Sequence, residues 1–189
     1  MSGSLHLYLG PMFSGKTTKL IQIYKTRTYI GKKVAVLNYN QDKRYSESML
    51  STHDKMMIPC IFTDRLSDIW CNTDNKCHTD FILSDTIIIN EGQFFPDIYN
   101  IVLEMVEKHG KEVHICGLDG DFQRQTFGSL LNLIPYCNTV EKLSALCADC
   151  RDGTPALFSH RISKETEQIV IGSDNYKPVC RRCYHRQNS

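Results

Sequence analysis

Apolar residues at Leu5, Leu7 and Leu9 alternate with their neighbours, a period of two that predicts a short strand. After a glycine-rich interval the period becomes helical. Leu20, Ile23, Tyr24 and Arg27 share one face, and Gly31 offers a C-terminal stop. Residues 33–37 are a β-branched apolar run and read as a second strand. Residues 86–89, Thr-Ile-Ile-Ile, show no alternation, as expected of a parallel strand covered on both faces. A helix follows, with Pro96 suited to its first turn, Ile98, Ile101, Val102, Met105 and Val106 as its apolar stripe, and Gly110 as its end. Residues 113–116 form a further short strand. Strands alternating with helices in this order predict an α/β fold, a mainly parallel sheet flanked by helices on both faces. Residues 38–55 break both periods and read as a long surface loop. Residues 72–80 are a turn-rich insert, and residues 58–70 remain ambiguous.

The glycine-rich interval carries chemistry. Gly10-Pro11-Met12-Phe13-Ser14-Gly15-Lys16-Thr17 fits G-x-x-x-x-G-K-[ST], the P-loop. Its glycines let backbone N–H groups close around phosphate, Lys16 would reach the β- and γ-phosphates, and the Thr17 hydroxyl would be a ligand of Mg²⁺. The motif sits between a strand and a helix, where the helix N-terminus also faces an anion. A nucleoside triphosphate is the ligand this predicts. The strand at 86–89 opens into Asn90-Glu91, which places Glu91 at the carboxyl edge of the sheet, where open α/β folds bind ligands. A carboxylate there could accept the proton of an attacking hydroxyl.

From Cys147 the pattern changes. Cys147, Cys150, Cys180 and Cys183 form two C-x-x-C pairs separated by residues 151–179. Each pair can present two thiolates from one tight turn, and four complete a tetrahedral, structural Zn²⁺ site. A single thioredoxin-like redox pair is the rival reading. The expected division is a P-loop α/β domain over 1–146 and a zinc-binding lobe over 147–189. Within that lobe 169–172 reads as a strand paired with the stretch around 157–159. The other five of the nine cysteines are scattered and read as ordinary small residues; Cys71, Cys77 and His78 form a looser group in a polar loop.

Composition narrows the class. A formal net charge of +1 argues against a surface built to coat nucleic acid. No export signal and no run of about 18 apolar residues is evident, so no membrane is expected and the expected location is cytoplasmic. Reading the residues alone therefore ends at a P-loop phosphotransferase or an ATPase with a zinc lobe, its acceptor open.

With these motifs placed, the chain resembles the type II thymidine kinases, the cytosolic cellular and poxviral kind, over nearly its whole length. Residues 10–17 resemble the family's G-P-M-F-[SA]-G-K-[ST], residues 91–95 its D-E-[GA]-Q-F-F from the glutamate on, and residues 117–127 its G-L-D-x-x-F-x-x-x-x-F. The paired cysteines recur at similar spacing. The resemblance implies transfer of the ATP γ-phosphoryl group to the 5′-hydroxyl of thymidine, with Mg²⁺ as cofactor and Glu91 as base. It places Asp42 and Arg44 near the phosphates. It assigns the base pocket to Met12, Phe94, Leu118, Phe122, Phe127, Ser159 and Tyr176, with main-chain groups of Ile169, Val170 and Ile171 in a lasso-like loop. A homotetramer and feedback inhibition by thymidine triphosphate are also implied. The chain departs from the pattern at Asn90, where the family usually has aspartate. Two other readings stand beside the kinase: a zinc-lobe ATPase, supported by the basic cluster Arg181, Arg182, His185 and Arg186, and a non-catalytic nucleotide sensor, motivated by Asn90.

Overall fold

The structure is a computed structural model and describes residues 2–40, 49–51, 56–70, 79–170, 172 and 174–188. In chain order its elements are β1 (Ser4–Leu9), α1 (Lys16–Tyr29), β2 (Val34–Tyr39), β3 (Met49–Ser51), β4 (Met57–Pro59), β5 (Ile61–Thr63), α2 (Thr79–Ile82), β6 (Thr86–Ile89), α3 (Ile98–Leu103), β7 (Glu112–Gly117), β8 (Thr139–Lys142), β9 (Ala145–Leu146), β10 (Pro155–Ala156), β11 (Phe158–Arg161), β12 (Tyr176–Val179) and α4 (Arg181–Gln187).

Among the described residues the main sheet has six strands in the order β5-β2-β6-β7-β1-β8, and every pairing in it is parallel. Register is set by the alternation of side chains between two faces. Leu5, Leu7, Leu37, Ile87, Ile89, Val113 and Ile115 point to one face and pack on Ile98, Val102 and Met105 of the α3 region, with Leu130 and Leu133 from the turn at 130–136. Tyr8, Val36, Ile88 and Cys116 point to the other and pack on Leu20 and Ile21 of α1. The unbroken run of β6 is explained by this arrangement, since all four of its residues are buried between the two layers.

The hydrophobic pattern mislocated some details. The supposed loop at 38–55 contains the end of β2 and the strand β3, which pairs antiparallel with β4. β5, in the ambiguous stretch, joins the sheet at its edge beside β2. β8 closes the opposite edge with mostly exposed side chains, so it lacks the apolar alternation that would have disclosed it. Pro96 stands ahead of the N-cap, Asp97, rather than inside the first turn of α3. The Asp97 carboxylate instead accepts the backbone N–H groups of Leu66 and Ser67 at 3.1 and 2.9 Å. α3 is followed by a wider, π-helical turn over Glu104–Lys108.

The smaller lobe has its own apolar cluster of Ala145, Cys147, Ala156, Val179, Cys180, Cys183 and Tyr184. Here the expected pairing of 169–172 is corrected. β11 pairs antiparallel with β12, Ser159 opposite Pro178, while Ile169 and Val170 lie in an irregular segment. Residues 176–179 lead directly into the second cysteine pair, and 163–170 belongs to the loop between the two strands.

A polar network crosses the α1 face. Arg27 of α1 donates from Nε and Nη2 to both oxygens of Glu112, which also accepts the Thr86 hydroxyl. His114 Nε2 lies 3.1 Å from Glu112 Oε1, its Nδ1 lies 3.1 Å from the Tyr8 hydroxyl, and its ring stacks on His6 at 4.6 Å. His6, Glu112 and His114 are close enough to hold a metal. Arg27 already occupies both carboxylate oxygens and the two rings lie nearly parallel, so this cluster reads as a structural network. Burial lowers the pKa of His114 to about 4 against the attraction of Glu112. Burial raises that of Glu112, but hydrogen bonds from Arg27, Thr86 and His114 outweigh it and hold the carboxyl at about 2.

Both shifts act in the same direction. Below the ordinary histidine value of 6.5 the unfolded chain takes up a proton that folded His114 resists until about 4, so stability falls as pH drops through that window. Glu112 extends the loss below 4.5 toward about 2. Between pH 7.5 and 5 the His114 contribution is roughly 2 kcal/mol, or a fall of about 5 °C in melting temperature. Thermal melts across this range should show it, and His114→Gln should flatten the slope; an equal slope in that variant would contradict the assignment.

Candidate active site

Three neighbouring strands, β6, β7 and β1, end on the same edge of the sheet, because parallel strands share their direction. The segments that leave them therefore meet: residues 10–17 after β1, Asn90 and Glu91 after β6, and Leu118 after β7. They line one cavity of about 410 Å³.

The loop after β1 wraps because its backbone takes conformations that most side chains forbid. Gly15 caps α1 in the left-handed region, φ 80°, and Phe13 is also left-handed at φ 65°. A Cβ on Gly10 would come within 2.4 Å of the Leu143 carbonyl oxygen, so only glycine passes there. Lys16 is buried, and its ammonium donates to the carbonyls of Gly10 at 3.0 Å and Pro11 at 2.6 Å. Ser14 also donates to the Pro11 carbonyl. Met12, Phe13, Ser14, Gly15, Lys16 and Thr17 face the cavity, while Gly10 and Pro11 stand behind it as the acceptors that aim Lys16.

Glu91 adopts φ 54°, ψ 46°, left-handed backbone that an L side chain rarely takes. Its carboxylate accepts the Gln93 amide at 2.6 Å, and Gln93 in turn accepts the Leu118 backbone N–H at 3.0 Å. Gln93, buried at 3 % exposure, thus ties the end of β6 to the end of β7. The sequence signalled it only as the glutamine of the motif at 91–95, with no role attached. Asn90 is a buried part of the cavity wall, donating to the Asn38 side chain at 2.9 Å and accepting the Cys116 thiol at 3.0 Å. Asp119 pairs with Lys142 at 2.6 Å and is not part of the cavity wall.

The apolar end of the cavity is walled by Phe94, Leu118, Phe122 and Phe127, with Phe94 and Phe127 edge to face at 5.3 Å. The smaller lobe supplies the opposite side through Ser159, Ile169, Val170 and Tyr176. Ser159 does more than line the wall, because its hydroxyl accepts the Met12 backbone N–H at 2.9 Å. Asp121 accepts the backbone N–H groups of Gln123 and Gln125 and the side-chain amide of Gln168. Neither Asp121 nor Gln168 stood out in the sequence. Asp42, Arg44 and Ile171 lie outside the described residues, as do Cys71, Cys77 and His78.

The four paired cysteines converge. Their sulfurs all lie within 4.8 Å of one another, and Cys150 is 3.7 Å from Cys180 and 3.5 Å from Cys183. Four sulfurs at about 2.3 Å from a tetrahedral ion would be about 3.8 Å apart, so the set could hold zinc. Cys147 and Cys150 flank a turn as expected, but Cys180 and Cys183 flank the first turn of α4. Burial raises the thiol pKa of Cys147, yet backbone N–H donors from Cys150, Cys180 and Asp149 bring it to about 6. Burial and the neighbouring cysteines push Cys183 to about 12. Thiolates this crowded repel one another, and a dication is what reconciles them. Arg182 and Arg186 point guanidinium groups at Cys150 and Cys183, and Arg181 lies over the Phe158 ring. Two members of the basic cluster, Arg182 and Arg186, thus border the cysteine site.

Comparison with known proteins agrees with this geometry. The family model for thymidine kinase matches residues 3–184. A thymidine kinase of Yaba monkey tumor virus (strain VR587) is 42% identical over 189 residues, covering 100% of this chain and 98% of its own. Thymidine kinase a of Arabidopsis thaliana is 38% identical, covering 97% and 75%. The thymidine kinase of vaccinia virus (strain Western Reserve) is 41% identical, covering 96% and 97%. With a family match over nearly its whole length and relatives of this similarity, the chain belongs to the thymidine kinase family.

Proposed function

We propose that the protein phosphorylates thymidine, transferring the γ-phosphoryl group of ATP to the 5′-hydroxyl and releasing thymidine monophosphate and ADP. The observation that carries this reading is one cavity with the phosphate loop at one end, Glu91 beside it and an apolar slot at the other. A flat pyrimidine with a methyl group suits walls of Phe94, Leu118, Phe122 and Phe127, with Met12, Ser159, Ile169, Val170, Ile171 and Tyr176 completing the pocket. Polar side chains are few there, so base recognition falls to main-chain groups of the loop at 169–171.

Glu91 accepts the proton of the 5′-hydroxyl as its oxygen bonds to the γ-phosphorus and the bond to the ADP oxygen breaks. Gln93 holds that carboxylate, fixing its angle of approach. Residues 10–17 hold the triphosphate through backbone N–H groups, and Lys16 exchanges its carbonyl partners for phosphate oxygens. Asp42 and Arg44 would assist at the phosphates. Mg²⁺, with Thr17 as ligand, would neutralise phosphate charge. Transfer of this kind demands mainly positioning and charge neutralisation, which is what these residues offer.

Residues 1–146 form the kinase domain and 147–189 the zinc lobe in this reading; the separate apolar cluster beginning at Ala145 supports a division near that point. Zn²⁺ is structural, since four protein sulfurs leave it no open position. A homotetramer, inhibition by thymidine triphosphate and a cytoplasmic location complete the reading on family grounds. Among the described residues no helix is long and apolar enough to cross a membrane.

ATP consumption measured with and without thymidine, deoxyuridine, deoxycytidine and deoxyguanosine tests the reaction. Turnover should require thymidine, and Glu91→Gln should lower kcat by about 10²- to 10⁴-fold. Turnover without any nucleoside would replace the reading by an ATPase. Stripping zinc with a chelator should lower the melting temperature by about 10 °C or more, with Cys150→Ser reproducing the loss. An unchanged melt would refute a structural metal. Asn90→Asp should reduce the Mg²⁺ concentration for half-maximal activity by about threefold or more, because it adds a charge at the back of the site. Identical half-saturation would refute that role.

A further inference from the structure

Arg161, the last residue of β11, is buried at 6 % exposure, and among the described residues its guanidinium has no carboxylate partner. A cation in such a place is costly unless its donors are used. Its four Nη donors are used, three of them on one loop, while the buried Nε–H has no partner among the described residues. Nη1 donates to the carbonyls of Glu165, at 3.1 Å, and Glu167. Nη2 donates to the Gln168 carbonyl at 3.1 Å and to the Tyr176 hydroxyl at 2.6 Å. The Tyr176 hydroxyl passes the contact on, donating to the Val170 carbonyl at 3.1 Å. The plane of the cation also lies over Phe122, 3.7 Å from the ring centroid.

The loop has little else to hold it. Among the described residues, none in 163–170 makes a backbone-to-backbone hydrogen bond. Four of its carbonyls, at 165, 167, 168 and 170, are satisfied by Arg161 directly or by Tyr176 beside it. One side chain, Gln168, adds a bond to Asp121. Gln168, Ile169 and Val170 are cavity-wall residues, and so is Phe122 on the facing side. The guanidinium therefore lies against both sides of the slot. Its carbonyl partners fix the loop and its π contact fixes the distance from that loop to Phe122.

We infer that Arg161 is a positioning residue that sets the width of the apolar slot and so the affinity for the nucleoside. This rests on the proposed function, in which the slot takes the base. Among the described residues Arg161 makes no hydrogen bond to the phosphate loop, so the nucleotide end depends on it less than the slot does. Lysine is a poor substitute: a point charge with rotating donors cannot reach four oxygens in one plane and stack on a ring.

The test uses the full chain with Arg161→Met and Arg161→Lys. Expected is a rise of about tenfold or more in KM for thymidine in both variants, with KM for ATP within about twofold of wild type. A second readout needs no nucleoside. Trypsin should cut after Lys164 about tenfold faster in Arg161→Met, because the loop has lost its main attachment. If wild type fails to turn over thymidine, the functional reading falls while the Lys164 cleavage still judges the clamp. Unchanged thymidine KM, or a parallel rise in both KM values together with a lowered melting temperature, would overturn the inference. Should Arg161→Met not fold, Arg161→Lys carries both measurements. Retention of wild-type thymidine KM and Lys164 cleavage rates in that variant would equally overturn it, since charge alone would then suffice.

Discussion

A strand paired on both sides and covered on both faces can offer polar chemistry only where it ends. β6, β7 and β1 are such strands, side by side and parallel, and their shared direction brings three chain exits to one edge. The phosphate loop, Glu91 and Leu118 are neighbours for that reason. Separately they are a turn, a left-handed residue and a loop start; the sheet makes them one site. Gln93 fastens two of these exits together and keeps the carboxylate from following its own preferences.

The smaller lobe depends on a different force. Its apolar cluster is small, and four of its members or neighbours are the converging cysteines. A lobe of this size has little hydrophobic area to order two short hairpins and one helix. A metal held by the four sulfurs would supply that ordering; the lobe brings Ser159 to the backbone of Met12 and Tyr176 to the rim of the cavity. Arg182 and Arg186, though exposed, place guanidinium groups beside the Cys150 and Cys183 sulfurs.

What could be read from sequence followed from how strongly local chemistry constrains each element. Residues 10–17 admit one backbone path, and β6 admits one environment, so both were legible. The paired cysteines were legible because spacing alone encodes their convergence. β8 was not, since an exposed edge strand carries no apolar period. β3 and β4 were not, because three-residue strands give too short a pattern. The strand expected at 169–172 went wrong for an instructive reason: Ile-Val-Ile looks like a covered strand, yet Ile169 and Val170 line a cavity instead of joining a sheet. Arg161 and Asp121 act through carbonyls and backbone N–H groups two to seven residues along the chain, in irregular segments whose main-chain contacts leave no trace in residue type or spacing.

Glu91 sits in left-handed backbone that costs a non-glycine residue about 1–2 kcal/mol. Glycine at that point would relax the turn, and asparagine would strain it less. The fold on its own terms would therefore gain from losing this side chain. Unselected drift toward a sturdier protein runs through substitutions that remove the carboxylate from the cavity. A chain that keeps glutamate there holds a less stable native state than its architecture permits, and the margin it gives up measures what the carboxylate is worth to the organism that carries it.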